Sequence, residues 1–316
     1  MFCGCIDHHR SKTRFDFDFH SLDSNSLDNW MDIVKKILDL LFKENLIVIP
    51  ENINIFLVEI YNYYEEQLSF HNHRHAIEVF QLGVCFLLKM KHVISFISKK
   101  DIFTYCVALL THDIGHRGYT NEELRNQDKS EINSVFPNSC RVSIEPDYSY
   151  LNSESFNEIT HAILGNHLLR KHNIDYNKDL YNKLIYYTDL SRHTEFKSEH
   201  NLKTNFRRDA KTRDSMLILF IKLADIGHVL RPWDEHCKFV VGLNKERKIM
   251  HPTEDLSWDT VCFNEMFVKD LILLFKDLNE CLSRSLLKRY ESNIQKWKDI
   301  MLFTELSKKI ELSDSN

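Results

Sequence analysis

The chain has 316 residues, of which 43% are hydrophobic, so it can build one large core. Its formal net charge is −5 with histidine counted neutral, and no stretch is dominated by lysine and arginine, which argues against duplex nucleic acid as the main partner. Only 7 glycines and 5 prolines are present, whereas sheet-rich folds need many tight turns made from these residues. The composition therefore favours helices joined by short polar loops.

The first residues, MFCGCIDHHRSK, lack the apolar stretch of a signal peptide, and apolar runs such as 216–221 are far too short to span a membrane. The short apolar runs predict no transmembrane segment. Eight scattered cysteines in a long chain without a signal peptide predict reduced thiols and a cytoplasmic location. Cys3 and Cys5 are weak candidates for acylation and thus for peripheral membrane association, while Phe2 excludes N-myristoylation.

Residues 1–27 are polar and lack a helical period, which predicts a flexible N-terminal lead-in. A first helix is expected from Asp28, whose side chain can cap it. Its buried face is predicted from the spacing of Trp30, Val34, Ile37 and Leu41.

Further helices are predicted from Pro50 to Leu68, from Asn72 to Met90, and from a cap at Asp101. Residues 117–150 predict an irregular region, after which helical patterns resume. No linker and no internal repeat is found, so the expected fold is a single compact all-α domain over residues 28–308 with a polar tail at 309–316. Strand alternation is weak throughout, which makes an α/β fold the second choice.

Three histidines occur together in the segment FHNHRHA. His71 and His75 are four residues apart, so on a helix they share one face, and this spacing suits a metal ligand beside a proton donor. The alternative is a polar loop that happens to contain three histidines, and the segment alone favours that alternative.

His112 and Asp113 follow the apolar stretch YCVALLT and precede IGHRG. An imidazole next to a carboxylate at the end of a buried helix can bind a divalent ion, and the two carboxylate oxygens can bridge two ions. His-Asp pairs also occur by chance, but His116 and Gly118 strengthen the interpretation because glycine permits a turn close to a cluster.

Asp225 ends the strongly apolar segment MLILFIKLAD. A buried carboxylate must be paired, and one at a helix C-terminus opposes the helix dipole, so a metal ion would stabilise it. A hydrogen bond to a neighbouring turn is the structural alternative. Two histidines with two aspartates suit zinc at one position and magnesium or manganese at a more hydrated one.

Four blocks of the sequence resemble the class I cyclic nucleotide phosphodiesterases, in the order of that family. They are FHNHRHAIEVFQ at 70–81, LLTHDIGHRGYTNEEL at 109–124, YYTDLSRH at 186–193 and KLADIGHVLRPW at 222–233. The resemblance implies an all-helical catalytic domain that hydrolyses the 3′-phosphoester bond of cyclic AMP or cyclic GMP with a two-metal centre.

The resemblance also implies roles for individual residues. The ligands of the first metal, usually zinc, match His75, His112, Asp113 and Asp225. Asp113 also matches the sole protein ligand of the second metal, usually magnesium, and His71 matches the general acid. His116 and Thr188 match groups that hold water at the ions, and Asn264 and Phe267 match residues that contact the base.

The sequence departs from the family pattern at two positions that bear on the site. Where the family has a glutamate that holds water at the metals, the alignment gives Asn152, or Glu154 if it slips by two residues. The family's purine-binding glutamine is replaced by Asn264, which is one methylene shorter.

These departures keep two alternatives open: an impaired phosphodiesterase-like protein that binds nucleotides in a regulatory role, and an HD-type phosphohydrolase with another nucleotide substrate. The expected partner is a cyclic nucleotide, and a second copy of the chain is left open as a further partner.

Overall fold

The computed structural model describes residues 26–126, 154–199, 208–248 and 255–314, with side chains up to residue 304. The described residues form helices and turns and contain no strand, which confirms the all-α prediction. Cys3, Cys5 and Asn152 lie outside the described residues. No described helix combines the length and the apolar character that crossing a membrane requires.

The chain divides into two compact units, residues 1–224 and 225–316, with the boundary near the end of one helix. The first unit contains α1 (Leu27–Lys43), α2 (Ile53–Tyr63), α3 (His73–Lys89), α4 (Lys99–Thr111), α5 (Asn121–Asn126), α6 (Phe156–Lys171), α7 (Lys178–Tyr186), α8 (His193–Glu199) and all but the last two residues of α9 (Ala210–Ile226). The single domain predicted over residues 28–308 stays a prediction.

The caps of two helices differ from those predicted. Helix α1 begins after Ser26, whose side chain accepts a hydrogen bond from the Asn29 amide at 3.3 Å, so Asp28 lies in the first turn and does not cap the helix. Helix α4 is capped in the same way by Ser98, which accepts from the amide of Asp101 at 3.1 Å. An acidic residue in the first turn still complements the positive end of the helix dipole, which explains why the sequence pattern is ambiguous.

The helix predicted from Pro50 is shorter than expected, since α2 ends at Tyr63. Helix α3 agrees closely with the prediction, because Asn72 caps it.

Helices α3 and α4 form the buried centre of the first unit. They approach closely at Gly83, where an added Cβ would lie 2.6 Å from the Leu109 side chain and 2.7 Å from the Tyr105 hydroxyl. A larger side chain there would have to displace the Leu109 and Tyr105 side chains. The N-terminal turn of α3 and the C-terminal end of α4 carry the candidate metal ligands.

The second unit contains a 3₁₀ turn (Gly227–Leu230), α10 (Trp233–Lys248), α11 (Leu256–Phe263), a π-helical turn (Asn264–Val268), α12 (Lys269–Leu274), a 3₁₀ turn (Phe275–Asp277) and α13 (Glu280–Asp314). The amide of Asn293 on α13 donates to the carbonyls of Val229 and Arg231, both at 2.8 Å. Helix α13 continues to Asp314, so the backbone of most of the predicted polar tail is helical.

Candidate metal centre

The histidines of the segment FHNHRHA are positioned by the start of α3. The side chain of Asn72 accepts hydrogen bonds from the amides of Arg74 at 2.9 Å and His75 at 3.3 Å, which places His71 before the cap and His75 in the first turn. The indole of Trp30 donates to the carbonyl of His73 at 2.8 Å and ties this turn to α1. The expectation that His71 and His75 share one helical face is therefore wrong, because His71 precedes the helix, although the two ring centroids still lie 6.1 Å apart. The metal-binding role of this segment stays a prediction.

Three predicted ligands meet in the first unit. The Nε2 atoms of His75 and His112 lie 3.3 Å apart, and Oδ2 of Asp113 lies 3.5 Å from the former and 3.1 Å from the latter. Both imidazoles are buried. One donor atom from each of the three residues falls within 4.8 Å of the others.

The chemistry of this cluster fits a divalent cation. Nδ1 of His112 lies 3.0 Å from the carbonyl of Leu109 and must donate to it, so Nε2 carries the lone pair that faces the other two ligands. Burial raises the pKa of Asp113, but the surrounding imidazoles, with His112 foremost, outweigh it and hold that pKa well below its usual range. An ionised carboxylate and ring nitrogens in one buried space suit zinc.

A second pair of histidines lies beside these ligands. The rings of His71 and His116 are stacked with centroids 3.9 Å apart and planes at 23°. Nδ1 of His116 accepts a hydrogen bond from the Gly118 amide at 2.9 Å. Burial lowers the pKa of His116 well below its ordinary value, and the adjacent His71 lowers it further, so His116 is a neutral ring. The turn that permits this bond needs glycine, because φ is +80° at Gly118.

Two residues that the sequence interpretation missed lie on α6. His161 is buried, with Nδ1 3.8 Å from Oδ1 of Asp113, and burial lowers its pKa to about 4. The carboxylate of Glu158 accepts a hydrogen bond from the side-chain amide of Asn121 at 3.0 Å. Burial raises the pKa of Glu158 to about 8, with a smaller contribution from the charge of Asp189. The spacing E-x-x-H, which places both side chains on one helical face, is the sequence signal that could have found them.

Glu154, the alternative to Asn152, has a different environment. Its side chain is 70% exposed and its carboxylate lies 3.5 Å from the guanidinium of Arg192. Asn152 lies outside the described residues, so the choice between Asn152 and Glu154 stays a prediction.

Thr188 lies in a turn whose backbone carbonyls accept hydrogen bonds from a buried lysine. Its hydroxyl donates to the carbonyl of Ile185 at 2.7 Å. The ammonium of Lys222 donates to the carbonyl of Tyr187 and, at 3.3 Å, to that of Asp189. Lys222 is only 2% exposed, so hydrogen bonds such as these help to offset the cost of burying its charge.

The remaining predicted residues belong to the second unit. Asp225 is half-buried in the last turn of α9. Asn264 begins the π-helical turn, is 1% exposed and donates through Nδ2 to the carbonyl of Thr260 at 2.8 Å, while its Oδ1 has no hydrogen-bond partner among the described residues. Phe267 is half-buried, with its ring 5.2 Å from that of Phe263. The base-contacting role of Asn264 and Phe267 stays a prediction.

Comparison with known proteins places these residues in a family. A model of the 3'5'-cyclic nucleotide phosphodiesterase family matches residues 70–254, more than half of the chain. The chain is 27% identical over 278 residues to the cGMP-specific 3',5'-cyclic phosphodiesterase alpha of Plasmodium falciparum, covering 78% of the chain and 28% of the relative. It is 26% identical over 227 residues to the 3',5'-cyclic-nucleotide phosphodiesterase regA of Dictyostelium discoideum, covering 67% of the chain and 26% of the relative.

The chain thus spans roughly a quarter of the length of these curated relatives. The fold is similar to that of the phosphodiesterase domain of a RhoPDE fusion protein from Salpingoeca rosetta, with a TM-score of 0.75 and 19% identity over 94% of this chain and 97% of that one. The matched region contains every candidate ligand, and the chain belongs to the 3'5'-cyclic nucleotide phosphodiesterase family.

Proposed function

We propose that the chain hydrolyses the 3′-phosphoester bond of cyclic AMP, cyclic GMP or both, releasing a nucleoside 5′-monophosphate. The observation that carries the proposal is the meeting of His75, His112 and Asp113 within bonding reach of one cation, with His71 beside them. Family membership supports the substrate class, since the relatives' names include cyclic nucleotide phosphodiesterases of both specificities.

The first ion, which we expect to be zinc, would be held by His75, His112, Asp113 and Asp225. The second, magnesium or manganese, would be held by Asp113. When bound, two such ions supply charge neutralisation for the phosphoryl group and activation of the attacking water.

His71 is the proposed proton donor to the leaving O3′ atom. Cleavage of the P–O3′ bond develops negative charge on O3′, and a general acid in position contributes typically about 10²–10⁴-fold to the rate. The neighbouring ring of His116 is neutral, and it can stack on His71 while His71 carries the proton, because two charged rings 3.9 Å apart would repel each other.

Thr188, His116 and Glu158 are proposed to orient water around the ions. The hydrogen bonds from the Lys222 ammonium to the carbonyls of Tyr187 and Asp189, on either side of Thr188, hold Thr188 in position. Glu158 thereby takes the water-holding role that the sequence had offered to Asn152 or Glu154. The apparent loss of that glutamate was the main sequence argument for an impaired, purely regulatory protein, and the proposal removes it.

Base contact is proposed for Asn264 and Phe267. The amide nitrogen of Asn264 is used by the Thr260 carbonyl, which leaves Oδ1 as the group that can accept a hydrogen bond from a base. Phe267 supplies an aromatic face for stacking.

The test is hydrolysis by the purified chain of cyclic AMP and cyclic GMP, each with magnesium or manganese, followed by release of the 5′-monophosphate. We expect product with at least one of the nucleotides. Absence of product with both ions shown to be bound would overturn the proposal and favour a regulatory, nucleotide-binding role. Turnover of a nucleoside monoester in place of the cyclic substrates would favour an HD-type phosphohydrolase.

A further inference from the structure

The side chain of Tyr187 joins the turn that contains Thr188 to helix α8. Tyr187 follows the last residue of α7 and is buried. Its hydroxyl lies 3.1 Å from Oε1 of Glu195 and 3.0 Å from Oε2 of Glu199, two carboxylates one helical turn apart on α8. Its ring also contacts Phe196 of the same helix, at a centroid separation of 6.0 Å. The residue directly before Thr188 is therefore tied to a neighbouring helix.

The hydrogen bonding of this phenol is charge-assisted. Both acceptors are carboxylates, and the guanidinium of Arg192 donates to the other oxygen of Glu195 at 3.3 Å, which helps to hold that acceptor in place. Burial raises the pKa of Tyr187, and the two carboxylates raise it further, so the phenol keeps its proton and stays a donor. Hydrogen bonds to an ionised acceptor are roughly twice as strong as those between neutral groups. The link between the turn and α8 is therefore stronger than an ordinary hydroxyl contact.

The orientation of Thr188 determines where it can hold a water molecule. Its hydroxyl donates to the carbonyl of Ile185 at 2.7 Å, and its amide donates to the same carbonyl at 3.0 Å. Because the hydroxyl hydrogen is used in this way, Oγ1 meets a water as an acceptor, through lone pairs whose direction follows the backbone of the turn. The carbonyl of Tyr187 accepts from Lys222. Tyr187 is thus held at both its carbonyl and its hydroxyl.

We propose that Tyr187 is a positioning residue of the proposed reaction: its hydroxyl, held by Glu195 and Glu199, fixes the direction in which Thr188 accepts a hydrogen bond from water at the metal centre. The inference rests on the proposed function, and in particular on the role given there to Thr188. If Tyr187 only stabilised the fold, removal of its hydroxyl would lower the unfolding free energy and leave the turnover of the folded chain unchanged. Kinetic measurements therefore distinguish the two roles.

The test is a double-mutant cycle of Tyr187→Phe and Thr188→Ala, with kcat and KM measured on the cyclic nucleotide that the wild-type chain hydrolyses. Phenylalanine keeps the ring and removes only the hydroxyl. We expect Tyr187→Phe to lower kcat by about 3- to 30-fold and to leave KM within about 2-fold, because a misdirected water affects the chemical step more than nucleotide binding. In the Thr188→Ala background the same change should lower kcat by less than about 2-fold, since the group that Tyr187 positions is gone.

Tyr176→Phe is the matched control, because it also removes a phenol hydroxyl that donates within the first unit, to Oδ1 of Asn166 at 2.6 Å. It should lower the unfolding free energy and keep kcat.

A second pair of variants leaves residue 187 unchanged and so avoids any folding defect there. Glu195→Gln/Glu199→Gln keeps an oxygen acceptor at both positions and should keep kcat within about 3-fold of the wild type. Glu195→Ala/Glu199→Ala removes both acceptors and should lower kcat as Tyr187→Phe does.

The outcomes separate this inference from the function on which it rests. Equal falls in kcat for Tyr187→Phe with and without Thr188, or an unchanged kcat in the double alanine variant, would overturn the positioning role and leave the phosphodiesterase function intact. Unchanged turnover of Thr188→Ala would overturn the role of Thr188 and, with it, that of Tyr187. A wild-type chain that hydrolyses neither cyclic nucleotide with both ions bound would overturn the proposed function as well.

Discussion

His71 and His116 stack ring on ring, with centroids 3.9 Å apart and planes inclined by 23°. The Gly118 amide donates to Nδ1 of His116, so the proton of that ring is on Nε2 and the ring is neutral. One member of the stack is thus fixed as the uncharged partner. In the proposed function, His71 is the imidazole that carries and releases the proton.

The first prediction concerns this proton. His71→Asn should lower kcat for cyclic nucleotide hydrolysis by about 10²–10⁴-fold, because the leaving O3′ atom loses its general acid. Zinc content should not change, because His71 is not a proposed ligand of either ion. Both are measured on the same preparation, by initial rates and by metal analysis.

His92→Asn serves as the control, since His92 is exposed in the turn that follows α3. It should retain wild-type turnover. Full activity of His71→Asn with normal metal content would remove His71 from the reaction.

The second prediction tests the fourth zinc ligand. Asp225→Ala should weaken zinc binding by about 10-fold or more, because a tetrahedral site that loses a charged ligand keeps only three donors. Zinc affinity is measured by competition with a chelator. The control Asp234→Ala removes an exposed carboxylate at the start of α10 and should bind zinc as the wild type does. Unchanged affinity in Asp225→Ala would exclude Asp225 from the ligand set.

A third prediction follows from the pKa of Glu158, which burial raises to about 8 from the model-compound value of 4.5. Between these two values the native chain holds a proton that the unfolded chain releases, so the unfolding free energy falls as pH rises through this window. The contribution of Glu158 to the unfolding free energy is fully present below pH 4.5 and is lost above about pH 8. In the metal-free chain, unfolding by urea measured between about pH 5 and pH 9 should show this decline.

Glu158→Gln should flatten the decline, because a neutral amide has no proton to release. Glu154→Gln is the control: it changes a 70% exposed carboxylate beside Arg192 and should leave the pH dependence of stability as it is. Equal slopes for wild type and Glu158→Gln would show that Glu158 titrates normally.

The sequence predicted the all-α class and the start of α3 well, because the helical period is clear, and the structure shows that Asn72 caps this helix. It assigned the caps of α1 and α4 to Asp28 and Asp101, whereas Ser26 and Ser98 hold these positions. Serine and aspartate are both common near helix starts, and only the side-chain hydrogen bond distinguishes the cap from the first turn.

Within the candidate site, the sequence named His75, His112 and Asp113, which the structure brings together. It did not identify Glu158 or His161. Their motif was overlooked because the alignment sought the carboxylate several residues earlier, next to a segment that the structure does not describe. Residue identity does not reveal whether a side chain is buried or which nitrogen of a histidine ring carries the proton. Both properties come only from the folded structure, and they are what distinguishes Glu158 and His161.

The last prediction concerns Lys222, whose buried ammonium donates to the carbonyls of Tyr187 and Asp189. Lys222→Met keeps most of the side-chain volume but leaves those carbonyls without their charged donor. The unfolding free energy should fall by about 2–4 kcal/mol, since each unsatisfied buried group costs about 1–3 kcal/mol. Lys178→Met, at an exposed position that begins α7, should change stability by less than about 0.5 kcal/mol. Urea unfolding of both variants measures the difference in unfolding free energy. Equal values would contradict a stabilising role for the hydrogen bonds of Lys222. Because the two carbonyls flank Thr188, the loss of these hydrogen bonds should also lower kcat in the variant that remains folded, whereas Lys178→Met should not change it.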